Sequence, residues 1–179
     1  MSDRAYLDIE TSFFGEITII GIFLPPKEVV QLIGGEVNKN NLLNVLSGID
    51  VIVTYNGSRF DLPVIKRRID LDLRSMFKSH DLMYDCWREG LFGGLKVVER
   101  KLGITRETEG ITGKDAPILW ERYKKMGDYD SLDLLLQYNR DDIISLPILE
   151  EHLSRVDRDE KEVAADFEGE FLKVGLKKW

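Results

Sequence analysis

The order of segment types along the chain predicts an α/β fold, a mixed five-stranded sheet flanked by helices. Three observations carry this. Three strand-like segments, at residues 4–9, 16–24 and 28–33, follow one another through short connections, which favours antiparallel pairing. Helix and strand patterns then alternate through residues 40–83, and beyond them the apolar spacing is helical almost throughout. The first strand is expected at the centre, with the antiparallel strands to one side and the later, parallel strands to the other.

Taken in order, residues 4–9 form the first strand and Phe13, Phe14 and Gly15 a turn. Residues 16–24 (EITIIGIFL) are rich in β-branched side chains and stop at Pro25 and Pro26. Residues 28–33 (EVVQLI) close at Gly34 and Gly35, and 40–46 read as a short helix with asparagines as caps. Residues 50–55 (DVIVTY) are nearly all apolar, as in a strand covered on both faces. After a turn at Asn56, Gly57 and Ser58, the spacing of Leu62, Ile65 and Ile69 predicts a helix over 61–69, with Pro63 in its first turn. A short strand is expected at 80–83, then helices over 84–89, 95–102, 117–126, 131–138 and 141–156. The domain is expected to span 1–154. The charge-dense segment 155–179 reads as a helix or arm packing back through Phe167, Phe171 and Leu172.

The 179 residues suit one domain, and 43% hydrophobic with 32% charged residues is the composition of a globular protein. The net charge of −7 argues against a dedicated non-specific nucleic-acid binder, which is usually basic. Cys86 is the single cysteine, so no intramolecular disulfide forms, and it reads as a small core residue. The apolar stretch 17–25 is too short to span a bilayer. A cytoplasmic location, with no membrane association and no evident protein partner, is the default expectation.

Chemistry concentrates in three places. Asp8 and Glu10 lie two residues apart on the first strand, so alternation puts both on one face, while Leu7 and Ile9 point to the other. Two neighbouring acids resist burial unless a positive charge meets them or one stays protonated, and a divalent metal is the simplest remedy. Asp61, in Asn56-Gly57-Ser58-Arg59-Phe60-Asp61, opens the helix after the buried strand; taken alone it reads as an N-cap, and Asn56 as a turn residue. Tyr138 and Asp142, four apart, share one helix face, whereas Asp141 suits a cap or a surface charge. The alternating acids of Asp128, Asp130 and Asp133 lack the glycine and terminal glutamate of a calcium loop, and capping by Asp128 or Asp130 is expected instead.

Together, D-x-E at 8–10, N-x-x-x-F-D at 56–61 and Y-x-x-x-D at 138–142 resemble the DEDD superfamily of 3′→5′ exonucleases. The similarity is closest to the stand-alone, prokaryotic-type predicted exonucleases, through D-I-E-T at 8–11, Y-N-G-x-x-F-D-L-P at 55–63, Gly94-Leu95-Lys96 and N-R-x-D-I at 139–143. It covers roughly residues 4–153. The resemblance implies a ribonuclease H-like fold and hydrolysis at the free 3′ end of DNA or RNA, releasing nucleoside 5′-monophosphates. It implies two divalent ions, Mg²⁺ or Mn²⁺, which prefer oxygen ligands. Asp8 would bridge both, Glu10 and Asp142 would hold one, and Asp61 would reach the other largely through water.

Within the superfamily, the histidine branch would place its base where Gln137 stands, while the tyrosine branch matches Tyr138. A phenol is a poor base near neutral pH, so orienting the attacking water is its expected part. His80 and His152 match neither position and read as a strand-edge and a surface residue. Substrate contacts are expected from Thr11, Asn56 and Lys96, and stacking from Phe13 and Phe14; Phe60 reads as core first and as a stacking residue second. Lys66, Arg67, Arg68, Arg100 and Lys101 are either phosphate contacts or solvated helix charges. The alternatives on the same fold are an endonuclease and a catalytically silent nucleic-acid-binding module.

Overall fold

The computed structural model describes residues 3–175, with side chains through Arg155. In β1 (Arg4–Thr11) the alternation of the sequence holds. Ala5, Leu7 and Ile9 are buried against one layer, and Tyr6 against the other. β2 (Ile17–Leu24) and β3 (Glu28–Ile33) follow as antiparallel neighbours. β4 (Val51–Thr54) and β5 (Lys78–Asp81) add parallel strands on the other side. The order β3-β2-β1-β4-β5 puts β1 in the centre, as expected.

Helices cover both faces. α1 (Lys39–Val45), α2 (Asp61–Ile69) and the short α3 (Leu73–Met76) pack Leu42, Leu62, Val64, Ile65 and Leu73 onto the face of Leu7 and Ile9. α4 (Leu82–Arg88), α5 (Leu95–Leu102), α6 (Ala116–Met126) and α7 (Tyr129–Gly175) cover the opposite face. There Cys86, Val98, Leu146 and Leu149 meet Tyr6 and Val53, and Leu119, Trp120, Leu132 and Leu135 meet Ile19. Cys86 is a buried free thiol, as expected.

Strand lengths open the cleft. Parallel pairing of β1 with β4 runs only from Arg4 opposite Val51 to Tyr6 opposite Val53. The C-terminal half of β1 is therefore unpaired on that edge, and its backbone groups need other partners.

Two sequence expectations change. The fifth strand ends at Asp81, because that carboxylate accepts the Met83 N–H at 3.2 Å and starts α4 at Leu82. The two helices expected at 131–138 and 141–156 are one helix, α7, with Pro147 inside it. Asn139 and Asp141 cannot break it, since their side chains are directed to Asp8 and Thr108 instead of to the local backbone. Asp128 does cap its start, accepting the Ser131 N–H at 3.1 Å. The expected packing of Phe167, Phe171 and Leu172 lies outside the described side chains.

Candidate active site

At the open end of β1, Asp8 and Glu10 face α7, which brings Asp142 to them. Each of the three offers a carboxylate oxygen, and these atoms lie within 4.8 Å of one another. Asp61 enters from the other side of the sheet. It is the first residue of α2, not its cap, and no side chain caps that helix. Its Oδ1 accepts the Ile9 N–H at 3.0 Å, supplying the partner that the short β4 fails to give β1. This replaces the N-cap reading with a tie between helix and strand. Asp8, Glu10, Thr11, Asn56, Phe60, Asp61, Tyr138 and Asp142 line one cleft of about 250 Å³.

The crowding of acids shows in their proton affinities. Burial, then the charges of Asp142, Asp61 and Glu10, holds Asp8 well above the ordinary carboxylate range. Glu10 is raised likewise by burial and by Asp142 and Asp61. Burial pushes Asp61 up to about 7 against the opposing backbone hydrogen bonds. Burial also lifts Asp142 to about 6, restrained by Arg106. Three carboxylates whose oxygens converge, with Asp61 lining the same cleft and all four resisting ionisation, could hold a metal ion.

Neutral and cationic side chains hold the acids in place. Asn139, fully buried, donates from Nδ2 to Asp8 Oδ2 at 3.0 Å, and its Oδ1 accepts from Gln31 Nε2 at 2.9 Å. It sits over Gly21, which is paired with Asp8 across β1 and β2. Arg106 donates from Nη2 to Asp142 Oδ1 at 2.6 Å and from Nη1 to both oxygens of the fully buried Glu99 at 2.8 Å. Arg106 pays for desolvation, but Asp142 and Glu99 outweigh it and keep the guanidinium charged. Next to it, Thr108 donates from N at 2.9 Å and from Oγ1 at 2.6 Å to Asp141. Asp141 is thus a buried anchor for the 104–113 loop, not a surface charge.

On the far wall, Asn56 adopts a left-handed backbone with φ 62°, as its turn role requires. Asp81 fastens that turn, accepting from Asn56 N at 2.7 Å and from Ser58 N at 3.0 Å and Oγ at 2.5 Å. Phe60, expected in the core, is 44% exposed at the cleft, because its backbone caps α2 and turns the ring outward. Tyr138 lines the cleft with its phenol pKa raised, first by burial and then by Asp142. Lys96 lies over its ring, 3.8 Å from the centroid, and donates to the Ile111 carbonyl.

Other expected contacts fall elsewhere. Phe13 and Phe14 lie beyond the acidic cleft, against α6. Lys66 pairs with Asp72 at 2.5 Å, Arg68 donates to the Phe14 carbonyl at 2.7 Å, and Lys101 to the Phe92 carbonyl at 3.1 Å. His80 bridges Asp85 and Glu150 on the edge strand, away from the acids. Arg106, Glu99, Gly21 and Asp81 carried no signal of a role in the sequence. Asn139 stood inside a recognised motif without one.

Residues 5–154 match the family described as RNase_H superfamily, and the chain belongs to that superfamily. The uncharacterized protein YprB of Bacillus subtilis (strain 168) is 34% identical over 122 residues, 62% of this chain and 29% of that protein. The family B DNA polymerase of the hyperthermophilic archaeon Pyrobaculum calidifontis superposes with a TM-score of 0.66 at 17% identity, over 86% of this chain and 24% of the polymerase. This domain therefore spans under a third of either relative's length. Among the described residues, no helix is long and apolar enough to cross a membrane.

Proposed function

We propose that the chain is a metal-dependent 3′→5′ exonuclease that removes nucleoside 5′-monophosphates from DNA or RNA with a free 3′ end. The observation that supports it most is the meeting of Asp8, Glu10 and Asp142 from β1 and α7, with Asp61 and Tyr138 lining the same cleft. Asp8, Glu10, Asp61 and Asp142 would hold two divalent ions. Two ions in such a site supply a nucleophile from water at neutral pH and neutralise charge on the attacking and leaving oxygens.

The protein's own groups do the positioning. Asn139 leaves one oxygen of Asp8 free of competing donors and fixes the other. Arg106 does the same for Asp142. The raised pKa of Tyr138 makes its hydroxyl a water-orienting donor, not a base. Thr11, Asn56, Phe60 and Lys96 line the approach to the acids, with Phe13 and Phe14 beyond.

The test is degradation of matched 5′-labelled DNA and RNA oligonucleotides with Mg²⁺, Mn²⁺ or EDTA, beside Asp8→Ala. Stepwise shortening that requires metal and Asp8, and stalls at a 3′-phosphate, is expected. Internal cuts in blocked substrates would identify an endonuclease instead. Metal-tight binding without any cleavage would identify a silent binding module.

A further inference from the structure

Beside the acidic cleft, between α5 and the 104–113 loop, lies a second cavity of about 660 Å³, against about 250 Å³ for the cleft. Cavities that take small molecules run from about 300 to about 1,000 Å³. Ties along the loop hold it open. The Ile104 N–H donates to the Glu99 carbonyl at 2.9 Å, Arg106 donates to Glu99 and Asp142, Thr108 to Asp141, and the Ile111 carbonyl accepts from Lys96. The loop is thus fixed along its length while the space beside α5 stays unfilled. Charge sets what fits there. Glu99 and Arg106 put a buried ion pair in the lining, which disfavours a purely apolar occupant. The Arg106 side chain is 9% exposed, and its Nε is a buried donor with no acceptor among the described residues. Buried donors are rarely left so, and an occupant that brings an acceptor oxygen answers it. Lys96 and Arg100 also line the cavity, and neither has a carboxylate within ion-pair distance among the described residues. The other acid of the lining, Glu109, is exposed. In a chain of net charge −7, unmatched cations gathered on one cavity select an anion.

We infer that this cavity is a binding site for a small phosphate monoester, its phosphate met by Arg100 and Lys96 and its apolar body laid against Ile104 and Ile111. The inference goes beyond the exonuclease reading and does not depend on it. A guanidinium pairs with two phosphate oxygens at once, and an ammonium adds a point charge. The third oxygen is left for the unanswered Arg106 donor, which a carboxylate, with only two oxygens, has none to spare for. Ile104 and Ile111 supply the apolar part of the lining, so a bare anion leaves half of the cavity unused. The site stands apart from the acids, with Lys96 lining both this cavity and the approach to Asp8 and Asp142.

The experiment is titration calorimetry of the full chain in EDTA, where the metal-free acids repel anions. The probes are thymidine 5′-monophosphate, thymidine and inorganic phosphate. The expected result is saturable binding of the monophosphate, about tenfold or more tighter than either thymidine or phosphate. Arg100→Ala should weaken it about tenfold. Thr105→Trp, which sets a ring at an exposed position of the lining, should abolish it. Melting curves confirm the fold of both variants. No saturable binding of the monophosphate, thymidine or phosphate binding as tightly as the monophosphate, or unchanged affinity in both variants would overturn the site. No cleavage is measured, so failure here leaves the exonuclease reading untouched, and failure of the degradation assay leaves this result standing.

Discussion

Asn139 and Gly21 fit one another as a side chain and the gap left for it. A Cβ at position 21 would stand 2.1 Å from Asn139 Oδ1, far inside contact distance. Only glycine on β2 lets α7 approach closely enough for Asn139 to hold Asp8 at 3.0 Å. Gly21→Ala should therefore destabilise the fold by about 1–3 kcal/mol and lower metal-dependent activity. Adding Asn139→Ala to it should cost little more, because the same contact is already lost. Additive losses in a melting and activity cycle would refute the link.

Arg106 joins two buried acids, so its removal strands both. Arg106→Ala should cost about 3–5 kcal/mol, read as a lowered urea midpoint. Replacing Glu99 by glutamine in that background should recover part of the loss, since the fully buried carboxylate would no longer lack a counter-charge. No recovery in the double variant would place the cost elsewhere.

Without metal, the acids make the protein pH-sensitive in an unusual direction. Asp61 and Asp142, raised to about 7 and about 6, bind protons more tightly folded than unfolded. Stability in EDTA should therefore fall as pH rises from about 4 through about 7, with Asp8 and Glu10, raised in the same direction, adding to the fall. Each tenfold difference in proton affinity between the two states is worth about 1.4 kcal/mol. Mg²⁺ or Mn²⁺ should restore melting temperature most at the alkaline end. A metal-free melting temperature that climbs across this window would contradict the assignment.

Asp81 lies outside the cleft lining, acts on Asp61 through its charge, and fixes the Asn56–Ser58 turn through three hydrogen bonds. Asp81→Ala should leave metal affinity near normal and raise KM for oligonucleotides more than it lowers kcat. A matching loss of metal binding, measured by titration calorimetry, would show that the turn supports the ligands as well.

Tyr138→Phe keeps the ring under Lys96 and removes only the hydroxyl. A residue that orients water should lose less than about 100-fold in kcat, whereas a general base should lose more. Asp8→Ala, which removes a proposed metal ligand, should be far more severe.

The sheet and its central strand were legible because period-two alternation and short connections act locally. The meeting of Asp8, Glu10, Asp61 and Asp142 was legible only as a resemblance, since nothing in the spacing alone reports a distance across the fold. Asp141 and Phe60 misled for one reason. Each sits where its residue type has a common local use, and a tertiary contact or an outward-turned backbone overrode it. Arg106 lies in the irregular loop between α5 and α6, where no periodicity points to a partner; its pairing with Asp142 spans 36 positions.

Helix α7 runs unbroken past Pro147, and Tyr138, Asn139, Asp141 and Asp142 ride on it within little more than one turn. Their relative placement is a matter of helical phase. One residue inserted upstream, near Leu132, would rotate all four together by about 100°. Asp8, Glu10 and the sheet would stay as they are, yet every partner from the helix would be aimed elsewhere. Substitution can be absorbed one side chain at a time at this site, but a change of length in that short stretch cannot.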